Sequence, residues 1–500
     1  MKRVIFIKNT IILSASALLL RLAGVVFKIW LSAKVGSEAI GLYQIIMSVY
    51  IFAASFATSG LSTAVTRLTT DELATSRSGV RKIVSRGLQL SLIIALFTFL
   101  ILFFGADFLA ARFIGDSRAA LSVKIMSVGL IFMGFCSCLR GYFLARRNAL
   151  SSSLSQILEQ IVRIFVIMVA IAKFGCDSVV LTTAAIVIGD AVAEAASAAF
   201  LFVLFRLDSN PTKKLTEESE NITKKLINIA MPITCGRYLS SLLRTLESSA
   251  VPKLFVYYGM TSAAALSAFG IIKGMALPLL LFPSAVLNAV SLLLIPELSE
   301  ARAKNSALTL KSTVYATLKT TTLISVFVGF VFWFCGEAFG TLLYNDALVG
   351  KTVQYLSPLV PLMYIDSIAD GMLKGLDKQR QTFLYAVADS GLRLVLIFLV
   401  LPRYGFSGFI FIMYLSNIFT AVLHFRLLLI TAKIKLKAVN FFALPTFLGL
   451  TACLIAKTVL SKTGAQNLYF IIGFCLVSAV IYFGVLLLLG ELRRENLFNR

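Results

Sequence analysis

Apolar stretches of about 20 residues or more recur along this chain from Thr10 to Leu489, and each is long enough to cross a hydrocarbon layer as a helix. Fourteen can be counted, with cores near 10–33, 40–66, 87–105, 121–144, 153–173, 179–205, 226–250, 263–295, 312–336, 352–373, 381–401, 406–425, 438–457 and 467–490. The 500 residues are 58% apolar with a mean hydropathy of +0.90, more than a soluble domain with a polar surface carries. The pattern predicts an all-α polytopic membrane protein with 14 transmembrane helices. The first stretch follows Lys2, Arg3 and Lys8 in the manner of a signal peptide. Its apolar run is too long for one and no small-x-small cleavage site follows, so it is expected to be retained.

A formal charge of +23 raises the question of nucleic acid, and the placement of the charge answers it. With the N-terminus inside and alternate loops on opposite sides, the inner segments hold 28 of the 47 Lys and Arg, the outer loops 9 and the helices 10. This positive-inside distribution predicts that both termini face the cytoplasm and that no nucleic-acid partner is involved. Seven cysteines lie almost wholly in apolar stretches and read as small core residues, with Cys136 and Cys138 too close for a disulfide framework. The single histidine, His424, is expected to be solvated or to cap a helix end. With no metal spacing, phosphate loop or nucleophile motif, neither an enzyme nor a cofactor is expected.

The longest polar stretch, Arg206–Lys225, is a cytoplasmic linker that divides two repeating halves. Gly141, Glu159, Arg163 and Gly175 in the first half recur as Gly371, Asp389, Arg393 and Gly405, each 230 residues on. Gly41 and Gly270 match at an offset of 229. The organisation expected is an N-lobe of six helices over 1–205, the linker over 206–225, a C-lobe of six helices over 226–430, and helices 13 and 14 with a cytoplasmic C-terminus over 431–500. Repeats with an even number of crossings are parallel, as in transporters that bind substrate between two lobes. All ten prolines lie at or after Pro211. Pro278 and Pro283 in segment 8, and Pro358 and Pro361 in segment 10, each predict a kink.

Seventeen ionisable residues fall inside the apolar segments, and ten are basic: Arg21, Lys28, Lys124, Arg140, Arg163, Arg237, Arg244, Lys273, Lys319 and Arg393. Facing lipid, they would together cost on the order of 25 kcal/mol or more. Arg21 and Lys28 share a helix face about 10.5 Å apart, which suits a long anionic group. The alternative is that Arg21 meets an acid on another helix while Lys28 snorkels. Arg237 and Arg244 repeat the spacing, although Arg237 nears the inner interface and Arg244 is placed to pair with Glu247. Lys273 stands mid-segment with no acid nearby and is expected to face a cavity. Lys124, Arg140 and Lys319, near segment ends, are expected to snorkel. Glu159 with Arg163 and Asp389 with Arg393 are spaced as structural ion pairs. Asp190 with Glu194 and Asp366 with Asp370 are like charges one turn apart, whose repulsion a proton or sodium ion would relieve, so they are candidates for ion coupling.

Arg21-Leu-Ala-Gly-Val-Val-Phe-Lys-Ile-Trp-Leu-Ser-Ala-Lys-Val-Gly, followed by Ala39-Ile-Gly-Leu-Tyr-Gln, resembles the first two helices of the stage V sporulation protein B and polysaccharide transporter families. These belong to the multidrug/oligosaccharidyl-lipid/polysaccharide (MOP) exporter superfamily. Leu294-Ile-Pro-Glu-Leu-Ser-Glu-Ala, Gly371-Met-Leu-Lys-Gly-Leu-Asp-Lys-Gln-Arg and Leu401-Pro-Arg-Tyr-Gly-Phe-Ser-Gly extend the resemblance over essentially the whole chain. It implies a bacterial multi-pass cell-membrane protein of two six-helix lobes that alternates its access. It also implies a flippase for a polyprenyl-pyrophosphate-linked saccharide of peptidoglycan, cell wall or sporulation chemistry, such as lipid II. The partners expected are that lipid-linked oligosaccharide and membrane lipids, with the chain working as a monomer. By resemblance, Arg21, Lys28 and Lys273 match basic cavity residues on helices 1 and 8. Helix 2 has no basic residue in its apolar core to match the third such helix. Asp389 is the nearest candidate for a sodium ligand, and helices 13 and 14 would line a groove for the prenyl tail. The competing functions are a proton- or sodium-coupled multidrug exporter, whose cavity should be acidic or aromatic, and a glycan polymerase, whose large outer loop is missing.

Overall fold

A hydrocarbon layer offers backbone N–H and C=O groups no water, so a chain this apolar satisfies them internally by winding into helices. The computed structural model describes residues 2–75, 79–175, 178–208, 219–287, 298, 302, 304, 306–434, 439–461 and 467–491, and every regular element among them is helical. In chain order the long elements are α1 (Lys2–Val35), α2 (Ser37–Thr75), α3 (Val80–Phe104), α4 (Ala120–Ala145), α5 (Ala149–Phe174), α6 (Val179–Leu207) and α7 (Ser219–Tyr257). They continue as α8 (Ser262–Leu281), α9 (Ala307–Tyr344), α10 (Ala347–Leu356 and Val360–Gly375 across a tight turn), α11 (Gln379–Ala432), α12 (Leu444–Ser461) and α13 (Asn467–Leu488). Ten segments among the described residues are long and apolar enough to cross a membrane. The helices α5, α7 and α10, which carry more charge or a break, lie outside that set. Half of the linker, the end of segment 8 and all of the 294–301 motif but Leu298 lie outside the described residues.

Local chemistry sets the breaks. Pro278 has no N–H to give the preceding turn, and just before it the winding of α8 widens over Gly270–Ala276. Pro358 lies in the tight turn Ser357–Leu359 that divides α10, and Pro361 follows it. Within α11, Gly405 takes φ +52° and ψ −130°, where the axis bends; a Cβ there would lie 2.6 Å from the Tyr258 ring.

Positive-φ residues recur at one spacing: Gly115 and Asn345, Arg147 and Asp377, and Gly175 and Gly405 are each 230 residues apart. The residues after the first pair, Asp116 and Asp346, both turn their carboxylates back to accept backbone N–H groups of the next turn.

The chain divides into two compact units, one of residues 1–27, 34–256 and 260–270, the other of residues 28–33, 257–259 and 271–500. In the first, α2, α4 and α6 surround a core that includes Leu61, Val65, Leu139, Phe143 and Leu201. Gly141 admits close approach, since a Cβ there would lie 2.7 Å from the Ser62 carbonyl, and Thr66 donates to the Gly141 carbonyl at 3.0 Å. In the second, α12 and α13 pack on α9: Phe327 stacks on Tyr482 at 5.3 Å, and the Tyr482 hydroxyl donates to the Leu323 carbonyl. Lys319, expected to snorkel, is instead buried and paired with Glu491. Its ammonium is enclosed by protein, so a carboxylate balances it.

Candidate functional site

The residues expected to hold an anion are distributed over both units. Arg21, Arg237 and Arg244 belong to the first unit and are exposed. Lys28 and Lys273 belong to the second and are half-buried. Lys273 sits in the widened turn of α8, and its ammonium lies 5.9 Å over the Phe409 ring, a cation–π placement. The described part of α8 carries no acid. Glu247 is buried, whereas Arg244 beside it on α7 is exposed.

Deeper in the first unit the opposite arrangement holds, and charges are matched at contact distance. The Arg163 guanidinium on α5 donates to Asp190 on α6 at 2.8 Å, to Glu159 one turn back at 2.8 Å and to Gln160 at 2.8 Å. Arg140 on α4 donates to the other Glu159 oxygen at 2.5 Å, and to Ser197 and Ser155. Tyr43 on α2 donates to the second Asp190 oxygen at 2.9 Å. Four helices are thereby joined through two cations and two carboxylates. Arg140 was expected to snorkel from a helix end; its guanidinium turns inward because Glu159, Ser155 and Ser197 all converge on it. Glu194, one turn beyond Asp190, is buried, and one of its oxygens has no hydrogen-bond partner among the described residues. The expected pair Asp190 and Glu194 is therefore unequal: one carboxylate is locked by an arginine and a tyrosine, and the other has an oxygen with no hydrogen-bond partner among the described residues.

The second unit carries a related set at the same sequence offset. Asp389 pairs with Arg393 on α11 and accepts from Ser416 at 2.5 Å. His424 is buried, its Nδ1 lies 2.7 Å from Asp366, and its Nε2 has no hydrogen-bond partner among the described residues. The solvated role expected for His424 does not hold, because α10 presents a carboxylate to the ring in the packed interior. Asp370, in turn, pairs with Lys374 at 2.5 Å. Sequence reasoning found both i,i+4 pairs. It missed Tyr43, Ser197 and Asp366 as partners, since each comes from another helix. Lys124 reaches the exposed Asp107 at 2.8 Å near the helix end. Among the described residues no three His, Cys, Asp or Glu side chains form a metal-binding group.

The pattern of the polysaccharide biosynthesis protein family matches residues 6–302. Stage V sporulation protein B of Bacillus subtilis (strain 168) is 24% identical over 509 aligned residues, covering 98% of this chain and 97% of that protein. A solved structure of the lipid II flippase MurJ in an inward closed conformation superposes with a TM-score of 0.74 at 16% identity, covering 97% of this chain and 100% of that one. An inward-facing multidrug resistance MATE family transporter of the MOP superfamily superposes with a TM-score of 0.64 at 15% identity, covering 85% and 98%. The fold is that of these transporters, and the chain is a membrane protein of the polysaccharide biosynthesis protein family.

Proposed function

We propose that the protein is a flippase that carries a polyprenyl-pyrophosphate-linked saccharide, of the lipid II or wall and capsule class, across the bacterial cell membrane by alternating access. The observation that carries the proposal is Lys273, a cation held half-buried against Phe409 in the widened turn of α8. A diphosphate cannot cross hydrocarbon unaided, so its carrier must supply positive charge along the way. Arg21, Lys28 and Lys273 supply it through charge-assisted hydrogen bonds, with Arg237 and Arg244 as further contacts. The prenyl tail stays in lipid. Asp190, Glu194, Glu247, Asp366, Asp370 and Asp389 are the candidates for a coupling proton or sodium ion, and the unpartnered Glu194 oxygen favours Glu194 among them. The fourteen crossings, the two parallel six-helix repeats and the cytoplasmic termini belong to the same proposal. The 230-residue recurrence of left-handed residues and aspartate caps supports the repeats.

A second reading, coupled export of organic cations, draws on the likeness to the multidrug transporter. Depletion of the protein separates the two. The flippase reading predicts that a polyprenyl-diphosphate-linked saccharide accumulates on the inner leaflet. Drug sensitivity with no such accumulation would refute it in favour of the exporter.

A further inference from the structure

The first unit contains a pocket of about 330 Å³ between α2, α3 and α7, bounded by the turn after α3. Its walls include Phe52, Phe56, Phe97, Ile101, Phe113 and Leu242, and no charged residue lines it among the described residues. The two polar residues on its wall face away chemically. Thr98 donates its hydroxyl to the Ile94 carbonyl at 2.8 Å, and Thr245 donates to the carbonyls of Ser48 and Ser241 at 2.9 Å each. A water inside would find none of the two to four polar partners it needs. Hydrocarbon fits such a space.

Charge gathers beside the same wall. Arg112 precedes the pocket residue Phe113, and the Lys253 ammonium on α7 donates to the Arg112 carbonyl at 2.6 Å. Gly115 makes room for the Lys253 stem, since a Cβ there would lie 2.8 Å from Lys253 Cε. Both cationic side chains are exposed. The acids nearby are already engaged: Asp107 pairs with Lys124, and Asp116 and Glu38 both pair with Arg118. An apolar pocket flanked by two cations is complementary to a molecule with a hydrocarbon chain and an anionic head.

We propose that this pocket binds one acyl chain of an anionic phospholipid whose phosphate is met by Arg112 and Lys253. Ser249 donates to the Phe113 carbonyl and Thr245 to the Ser48 carbonyl, so the pocket lies where α7 is fastened to α2 and to the turn after α3. A bound chain fills the gap those contacts leave and stabilises that fastening.

The test is native mass spectrometry of the full-length protein released from vesicles of phosphatidylglycerol and phosphatidylcholine with identical chains. The wild-type protein should retain phosphatidylglycerol over phosphatidylcholine by on the order of tenfold, the preference two surface cations confer. The double variant Arg112→Ala/Lys253→Ala should lose the preference. Leu242→Trp, at a half-exposed wall position where a larger ring has room to enter the pocket, should lose retention of both lipids. Equal retention of the two lipids by the wild-type protein would overturn the proposal, as would an unchanged preference in the charge variant. Full displacement of phosphatidylglycerol by undecaprenyl phosphate at equal concentration would overturn it too, since the pocket would then belong to the transported lipid. The charge variant reads the proposal even if Leu242→Trp does not fold.

Discussion

Replacing Arg163 by Met is expected to destabilise the protein by about 3–5 kcal/mol, the cost of removing one partner from a buried ion pair. The side chain holds Glu159 and Asp190 together, Arg140 donates to Glu159 and to Ser197, and Tyr43 donates to Asp190. Without it, the buried Asp190 and the half-buried Glu159 remain beside the buried Glu194, with only Arg140 to balance them. The effect should appear as a large fall in melting temperature in detergent. Lys124→Met is the control, because its partner Asp107 is 71% exposed and such pairs contribute about 0–1 kcal/mol. Adding Asp190→Asn to Arg163→Met should recover part of the loss, since the two residues act as a unit. An Arg163→Met protein as stable as Lys124→Met would show that the cluster is solvated rather than buried.

The second large effect is expected where α2 crosses α8. A Cβ on Gly41 would lie 2.0 Å from the Leu266 carbonyl oxygen, and one on Gly270 would lie 2.1 Å from the Ser37 carbonyl oxygen. These are backbone atoms, which cannot swing aside as a side-chain tip can. Beside them the hydroxyls of Ser37 and Ser267 are hydrogen bonded, so residues 229 and 230 apart in sequence meet face to face. Gly41→Val or Gly270→Val must push the helices apart, at a cost of about 1–3 kcal/mol or more. A Ser37→Cys/Ser267→Cys protein should therefore cross-link readily under oxidation, and adding Gly41→Val should abolish the cross-link. Undiminished cross-linking with Val at position 41 would mean that the helices do not touch there.

How far the sequence anticipates the structure depends on whether a feature is local. Apolar length marks the helices directly, and the i,i+4 pairs of Glu159 with Arg163 and Asp389 with Arg393 lie within one helix, so their spacing alone reveals them. The recurrence of Gly175 as Gly405 is legible because each occupies positive φ, a conformation glycine tolerates and other residues resist. Arg147 and Asp377 hold the same conformation without glycine, and no residue-type signal marks them. The partner of Lys319 is 172 residues away, and those of Arg140 and His424 come from other helices. Distance to a helix end gives no information about such contacts, so snorkelling was the natural expectation for Arg140 and Lys319 and solvation for His424. Packing decided otherwise, because a charge that cannot reach water requires a partner.

The central claim is that Arg21, Lys28 and Lys273 carry a diphosphate-linked substrate. The direct measurement is the flipping rate of a fluorescent undecaprenyl-diphosphate-linked saccharide in reconstituted vesicles, comparing the wild-type protein with Arg21→Gln/Lys28→Gln/Lys273→Gln at matched insertion and melting temperature. Loss of charge-assisted hydrogen bonds worth about 1.5–3 kcal/mol each predicts a fall on the order of a hundredfold or more. A triple variant that flips the substrate at the wild-type rate would contradict the account.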